Sequence, residues 1–282
     1  MNWFEPSRDH ARTCREAMDR ALWDSVPELL DEHGVAAADA IDQDISGPTD
    51  FLDYAAYFDL AIPLPEGAVL PESERAFALR RLARRLPVAA NLEARPAMPR
   101  ITRFVPAAYA PEELAQMARW WDHEPANRMA MTDPSDEEFA TVGAAISEAM
   151  QYLAMASSEL HGEVELLVRD IVLTRPDGVN NRINYSGASS FALWGALTIN
   201  AETQREWLQV YRQIVHETAH NLLFAIARDG PLIAADPAER RASPLREVFD
   251  MWPYVSSTRL RVGARRFRST CCSSAGRARA LP

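Results

Sequence analysis

Apolar residues recur every three or four positions along much of the first half of the chain, the spacing of an amphipathic α-helix. The clearest run follows Ser135, which together with Glu138 forms the pattern of a helix-capping box. Another run begins at Pro111, a residue type favoured in the first turn of a helix. Segments 61–73 and 87–106 contain several prolines, and we expect irregular connections there.

The pattern changes after about residue 160. Residues 167–174 are apolar and β-branched and precede a Pro-Asp-Gly turn, so they predict a strand, and the apolar residues 191–199 predict a second one. Asn200 is placed to cap the element that follows. Residues 201–228 contain neither Pro nor Gly, and their apolar side chains surround almost the whole helical circumference, so we expect a long helix buried in the core.

Composition narrows the classes of protein to consider. Of the 282 residues, 48% are hydrophobic and 25% charged, values typical of a folded chain. The 40 acidic residues outnumber the 30 basic ones, all of them Arg, which argues against nucleic acid as a partner. No apolar run approaches the roughly 20 residues of a membrane span. Because the sequence also shows neither an export signal nor a disulfide framework, we predict a cytoplasmic protein without a membrane partner.

These patterns predict an α+β fold that is predominantly helical, in three regions. Residues 1–150 form a helical N-terminal region, and residues 151–258 form a core that binds metal. Residues 259–282 are rich in Arg, Ser and Cys, unlike anything before them, and we expect a tail that is disordered or binds an acidic partner.

The long helix carries the motif His-Glu-Thr-Ala-His at residues 216–220. Four residues span just over one helical turn, so the imidazoles of His216 and His220 emerge on the same face and can bind one cation at roughly 2.0–2.1 Å from each nitrogen. Glu217 lies about 100° around the helix, where it can act as a general base on a metal-bound water. The motif predicts a metal site with Glu217 as the catalytic residue.

A third ligand is needed, and no histidine follows His220. Glu247 and Asp250 are the downstream carboxylates that lie in an apolar segment, where a further helix could bring one of them to the metal. Two imidazoles and a carboxylate with open positions form the centre of non-haem iron oxygenases. The same ligands with one water form a hydrolytic zinc site, and the spacing does not separate the two.

Four separated motifs within residues 155–247 resemble those of the HExxH proteins of peptide natural-product clusters, some of which are 2-oxoglutarate-dependent peptide β-hydroxylases. The resemblance is specific because the motifs occur in order. They are GASSFALWGAL at residues 187–197, HETAH at 216–220, DGPL at 229–232 and SPLR at 243–246.

This resemblance implies a zincin-like core, a small sheet beside the buried HExxH helix, with Fe(II) in place of zinc. It implies that His216 and His220 bind iron, and that oxygen and 2-oxoglutarate are cosubstrates. The substrate would be a ribosomally made precursor peptide, hydroxylated at a side-chain β-carbon, and other peptide-maturation enzymes would be possible partners. Arg246 is the candidate for binding a cosubstrate carboxylate, because guanidinium matches carboxylate geometry. The family's third ligand is a later histidine, near whose place this chain has Asp250, the predicted third ligand.

Two alternatives stay open. The chain could be a zinc metallopeptidase with Glu217 as general base, or a precursor-binding protein whose catalytic site has decayed. In the enzymatic readings the strand predicted at 191–199 would hold an extended peptide along its edge, with Phe191 and Trp194 lining the groove.

Overall fold

The computed structural model describes residues 5–35, 48–62, 64, 69–86, 96–122, 128–181 and 183–228. The tail at 259–282 lies outside them. Within this part of the chain the fold is mixed α/β and mostly helical, as the sequence predicts. None of the described helices is both long and apolar enough to cross a bilayer.

Helices dominate the described part of the first 150 residues, as the apolar spacing predicts. The capping box forms as expected: the Ser135 hydroxyl accepts a hydrogen bond from the Glu138 amide at 3.2 Å, and the Glu138 carboxylate accepts one from the Ser135 amide at 2.8 Å. Five described helices begin in this region: α1 (Arg8–Glu32), α2 (Phe51–Ala61), α3 (Glu72–Arg85), α4 (Pro111–Trp121) and α5 (Asp136–Ala156).

Three predictions of local structure outside the long helix need correction. The segment 87–106 is not wholly irregular, because it contains a strand at Arg100–Arg103. The strand predicted at 167–174 starts later, since helix α6 (Ser158–Leu167) runs to its first residue and the strand begins at Asp170. Only the second half of 191–199 is a strand: Phe191–Leu193 form a 3₁₀ turn, and Gly195 then adopts a φ of +95°.

The described residues include a small mixed sheet of five strands. Its strands are β1 (Arg100–Arg103), β2 (Met131–Thr132), β3 (Asp170–Pro176), β4 (Gly187–Ser189) and β5 (Ala196–Asn200). The order is β1-β3-β5-β4, with β2 pairing antiparallel to the end of β3. Strands β1 and β5 both run parallel to β3, whereas β4 runs antiparallel to β5 and forms the outer strand on the side opposite β1.

Helix α7 (Trp207–Ala227) packs against this sheet. It begins later than predicted, because the Asn200 side chain accepts from the Glu202 amide at 3.0 Å and so holds a turn rather than capping the helix. The expectation of a fully buried helix is also wrong for the described residues: Leu208 and Leu223 are 51% and 37% exposed. The buried face consists of Val210, Ile214, Glu217, Thr218, Asn221 and Ala225.

The N-terminal helices and the sheet region share their apolar cores. One cluster joins residues of α1 and α2 to Leu166, Trp194 and Ala225. The Ser7 amide also donates to the Glu163 carboxylate at 2.7 Å. The boundary predicted at 150 falls inside α5, and β1 pairs with β3 across it, so the described parts of the two regions pack as one structure.

Candidate metal centre

The imidazoles of His216 and His220 converge, as the motif predicts. Their Nε2 atoms lie 3.0 Å apart, and the ring planes are almost perpendicular, at 88°. A cation bound at roughly 2.0–2.1 Å from each nitrogen can bridge nitrogens separated by up to about 4 Å. The two imidazoles hydrogen-bond to each other in this structure, and their separation is also within the range that one metal ion can bridge.

The local electrostatics keep His220 in the form that binds metal. Its side chain is half-buried, whereas His216 is exposed. Burial, followed by repulsion from His216, lowers the pKa of His220 to about 4. The ring of His220 is therefore neutral near pH 7, which is the protonation state that metal binding requires.

Glu217 points toward the outer strand β4. It is only 4% exposed, and the Ser189 hydroxyl donates to its carboxylate at 2.7 Å. Burial raises its pKa to about 7, while the hydrogen bond from Ser189 acts in the opposite direction. A carboxyl group with that pKa exchanges protons readily near neutrality, as a general base or acid must.

Gly187 lets the outer strand approach α7. A β-carbon at this position would lie 3.0 Å from the Thr198 carbonyl oxygen and 3.1 Å from the Gln213 amide oxygen. It would also lie 3.4 Å from the Glu217 carboxylate. Glycine here therefore allows polar side chains of the helix to lie directly over the strand.

Asn221, directly after the motif, is fully buried and was not predicted. Its side-chain oxygen accepts from the Gly195 amide at 2.9 Å, and its side-chain nitrogen donates to the Glu217 carbonyl at 3.0 Å. Trp194 donates to the Asn221 carbonyl at 2.8 Å. The sequence gives little sign of this role, because an asparagine within a helix ordinarily indicates only low helix propensity. Ser189 was also missed, although it lies in the first of the four resembling motifs.

The predicted peptide-binding strand needs correction. Strand β5 lies between β3 and β4, so it has no free edge to offer, and β4 takes the outer position. Trp194 is fully buried, with its indole N–H bonded to α7, and therefore lines no groove. Phe191 is half-buried in the 3₁₀ turn.

The remaining predicted site residues, Arg246, Glu247 and Asp250, lie outside the described residues. Within the described part of the chain, no group of three His, Cys, Asp or Glu side chains is arranged to hold a metal ion. The structure thus brings together His216 and His220 and places Glu217 beside Ser189.

No protein-family model matches the sequence, and neither does any curated protein.

Proposed function

We propose that this chain is an Fe(II)- and 2-oxoglutarate-dependent hydroxylase that acts on a side-chain β-carbon of a ribosomally made precursor peptide. The observation that carries the proposal is the 3.0 Å approach of the Nε2 atoms of His216 and His220. The four ordered motifs, which resemble those of peptide β-hydroxylases, favour this reaction among those that such a pair supports.

In this proposal His216 and His220 hold the iron and Asp250 completes the ligand set, with Glu247 as the alternative donor. Arg246 orients a carboxylate of 2-oxoglutarate through paired hydrogen bonds. The roles of Asp250, Glu247 and Arg246 are inferred from the sequence. Together with oxygen and 2-oxoglutarate, bound Fe(II) supplies the oxidising chemistry: one oxygen atom enters the peptide and the other leaves in succinate, with release of carbon dioxide.

The proposal places the peptide along β4. Among the described strands β4 pairs with β5 only, so its other edge has backbone groups that an extended peptide can pair with. Ser189 lies on this strand and contacts Glu217, one residue from His216. A peptide paired with β4 would therefore lie next to the turn of α7 that carries the imidazoles.

A zincin-like core belongs to the same proposal. Two features support it: α7 carries the paired imidazoles, and it packs against a mixed sheet whose outer strand is antiparallel to its neighbour. The proposed partners are the precursor peptide and other peptide-maturation enzymes, in the cytoplasm.

The decisive experiment incubates the purified protein with Fe(II), 2-oxoglutarate and a precursor peptide encoded beside it. We expect the peptide to gain the mass of one oxygen atom while one equivalent of succinate forms. His216→Ala is the matched control, because this exposed side chain can be removed with little effect on packing. A metal-loaded protein that forms no succinate with this peptide would contradict the hydroxylase proposal.

A zinc peptidase is the second candidate, favoured by the environment of Glu217. Its pKa of about 7 suits a general base on a metal-bound water. This function predicts one equivalent of zinc in the purified protein and peptide cleavage that Glu217→Gln abolishes. Peptide affinity that is unchanged by EDTA, without either reaction, would instead indicate a precursor-binding protein with a decayed site.

A further inference from the structure

Asn221 makes hydrogen bonds both within α7 and to the residues that directly precede β5. Its side chain links the Gly195 amide, at 2.9 Å, to the Glu217 carbonyl within α7, at 3.0 Å. Its backbone carbonyl accepts the indole N–H of Trp194 at 2.8 Å. One fully buried residue thus makes three hydrogen bonds, two of which join α7 to residues 194–195, here called the 194–195 turn.

The 194–195 turn is itself firmly placed. The Gly195 carbonyl accepts the amide of Arg169 at 2.7 Å, which ties the turn to the start of β3. On the other side the Arg15 guanidinium lies 4.8 Å from the centre of the Trp194 ring. A β-carbon on Gly195 would come within 2.9 Å of that guanidinium, so the turn is packed between α1 and the sheet.

The position of Asn221 on α7 decides what this contact controls. At about 100° per residue, Asn221 lies roughly 100° around the helix from His220 and about 140° from His216. Bonds on the Asn221 face therefore set the direction in which the imidazole face points. A rotation of about 20° would move an imidazole tip, about 7 Å from the helix axis, by roughly 2 Å, the length of a metal–ligand bond.

We propose that Asn221 is a positioning residue: through the 194–195 turn it fixes the rotation of α7 and so aims the imidazoles of His216 and His220. Since both imidazoles are on one helix, rotation leaves their mutual distance unchanged. It moves them together, relative to β4 and to any metal ligand on another element. This inference rests on the proposed metal centre and adds to it a residue that neither binds the metal nor touches substrate.

The test is a titration of the metal-free, full-length protein with Co(II), whose visible absorption bands report both affinity and coordination geometry. Asn221→Ala should weaken Co(II) binding about ten-fold or more and alter the band shape, the size of effect typical of residues that orient metal ligands. Thr218→Ala is the matched control. Thr218 is buried in the same turn of α7, but its hydroxyl makes no hydrogen bond within the described structure, so its variant should bind as wild type does.

Trp194→Phe tests the same inference should Asn221→Ala fail to fold. It removes the indole donor to the Asn221 carbonyl together with part of a fully buried ring, and should weaken Co(II) binding about three-fold or more, the worth of one hydrogen bond. Wild-type affinity and band shape in a folded Asn221→Ala protein would overturn the positioning role and leave the metal centre standing. Equal losses in Asn221→Ala and Thr218→Ala would also overturn it, whereas no Co(II) binding by the wild type would refute the metal centre itself.

Discussion

Asp170, the first residue of β3, provides a pH-dependent test of how this core is built. Its side chain is 4% exposed, and its carboxylate accepts a hydrogen bond from the Arg100 guanidinium at 2.6 Å. Burial raises the pKa of Asp170 to about 6, although Arg100 acts to lower it. The folded protein therefore holds the Asp170 proton more tightly than the unfolded chain does.

The sign and size of the effect follow from this difference. Well below pH 3.8 both states are protonated, and Asp170 has no effect of this kind on stability. Between pH 3.8 and about 6 the unfolded chain has lost this proton while the folded protein retains it, so stability falls as the pH rises. The shift from 3.8 to about 6 corresponds to about 3 kcal/mol, lost in full above the folded-state pKa. Asp170→Asn cannot ionise and should escape this loss.

The loss of stability with rising pH is measured by urea unfolding of the wild type and of Asp170→Asn at pH 4 and pH 7.5. We expect similar stabilities at pH 4 and a variant that is more stable by about 3 kcal/mol at pH 7.5. Asp24→Asn, at an exposed position of α1, is the control and should change stability by about 0.5 kcal/mol or less at either pH. An Asp170→Asn protein that gains under about 1 kcal/mol between the two pH values would refute the reasoning.

Three further predictions concern the metal centre and its supports. His216→Ala should reduce Co(II) affinity about 100-fold or more without lowering the stability of the metal-free protein, measured by titration and urea unfolding. Gly195→Ala should cost roughly 2–4 kcal/mol in urea unfolding, because its φ is +95° and the space beside it is filled, whereas Gly178→Ala, with open space, should cost under about 1 kcal/mol. Ser189→Ala should destabilise the protein by about 1–2 kcal/mol by removing a donor to the buried Glu217 carboxylate, and an unchanged unfolding midpoint would contradict that contact.

The features that the sequence predicted well depend on neighbouring residues. The start of α5 follows from Ser135 and Glu138, which are three positions apart and bond to each other. The convergence of His216 and His220 follows from helical geometry once the segment is known to be helical. In each case the information lies within about one turn of helix.

The features that were missed depend on distant partners. Strand β1 is too short to show a pattern, and it is defined by its pairing with β3, in which Arg100 lies opposite Asp170. Asn221 bonds to a residue 26 positions earlier, which helical propensity does not reveal. The turn at Phe191–Leu193 was missed because these residues belong to an apolar run that resembles a strand. Apolar spacing does not reveal the positive φ that Gly195 adopts.

The packing of α1 has a consequence for how the chain folds as it is synthesised. This helix is synthesised before α6 and α7, yet it packs against both, and the Ser7 amide bonds to a residue 156 positions later. Contacts this far apart close slowly, because a long loop must be ordered first. The part of the α1 surface that packs on α6 and α7 therefore stays uncovered on the ribosome until the chain has been made through α7, and a molecular chaperone can bind it during that interval.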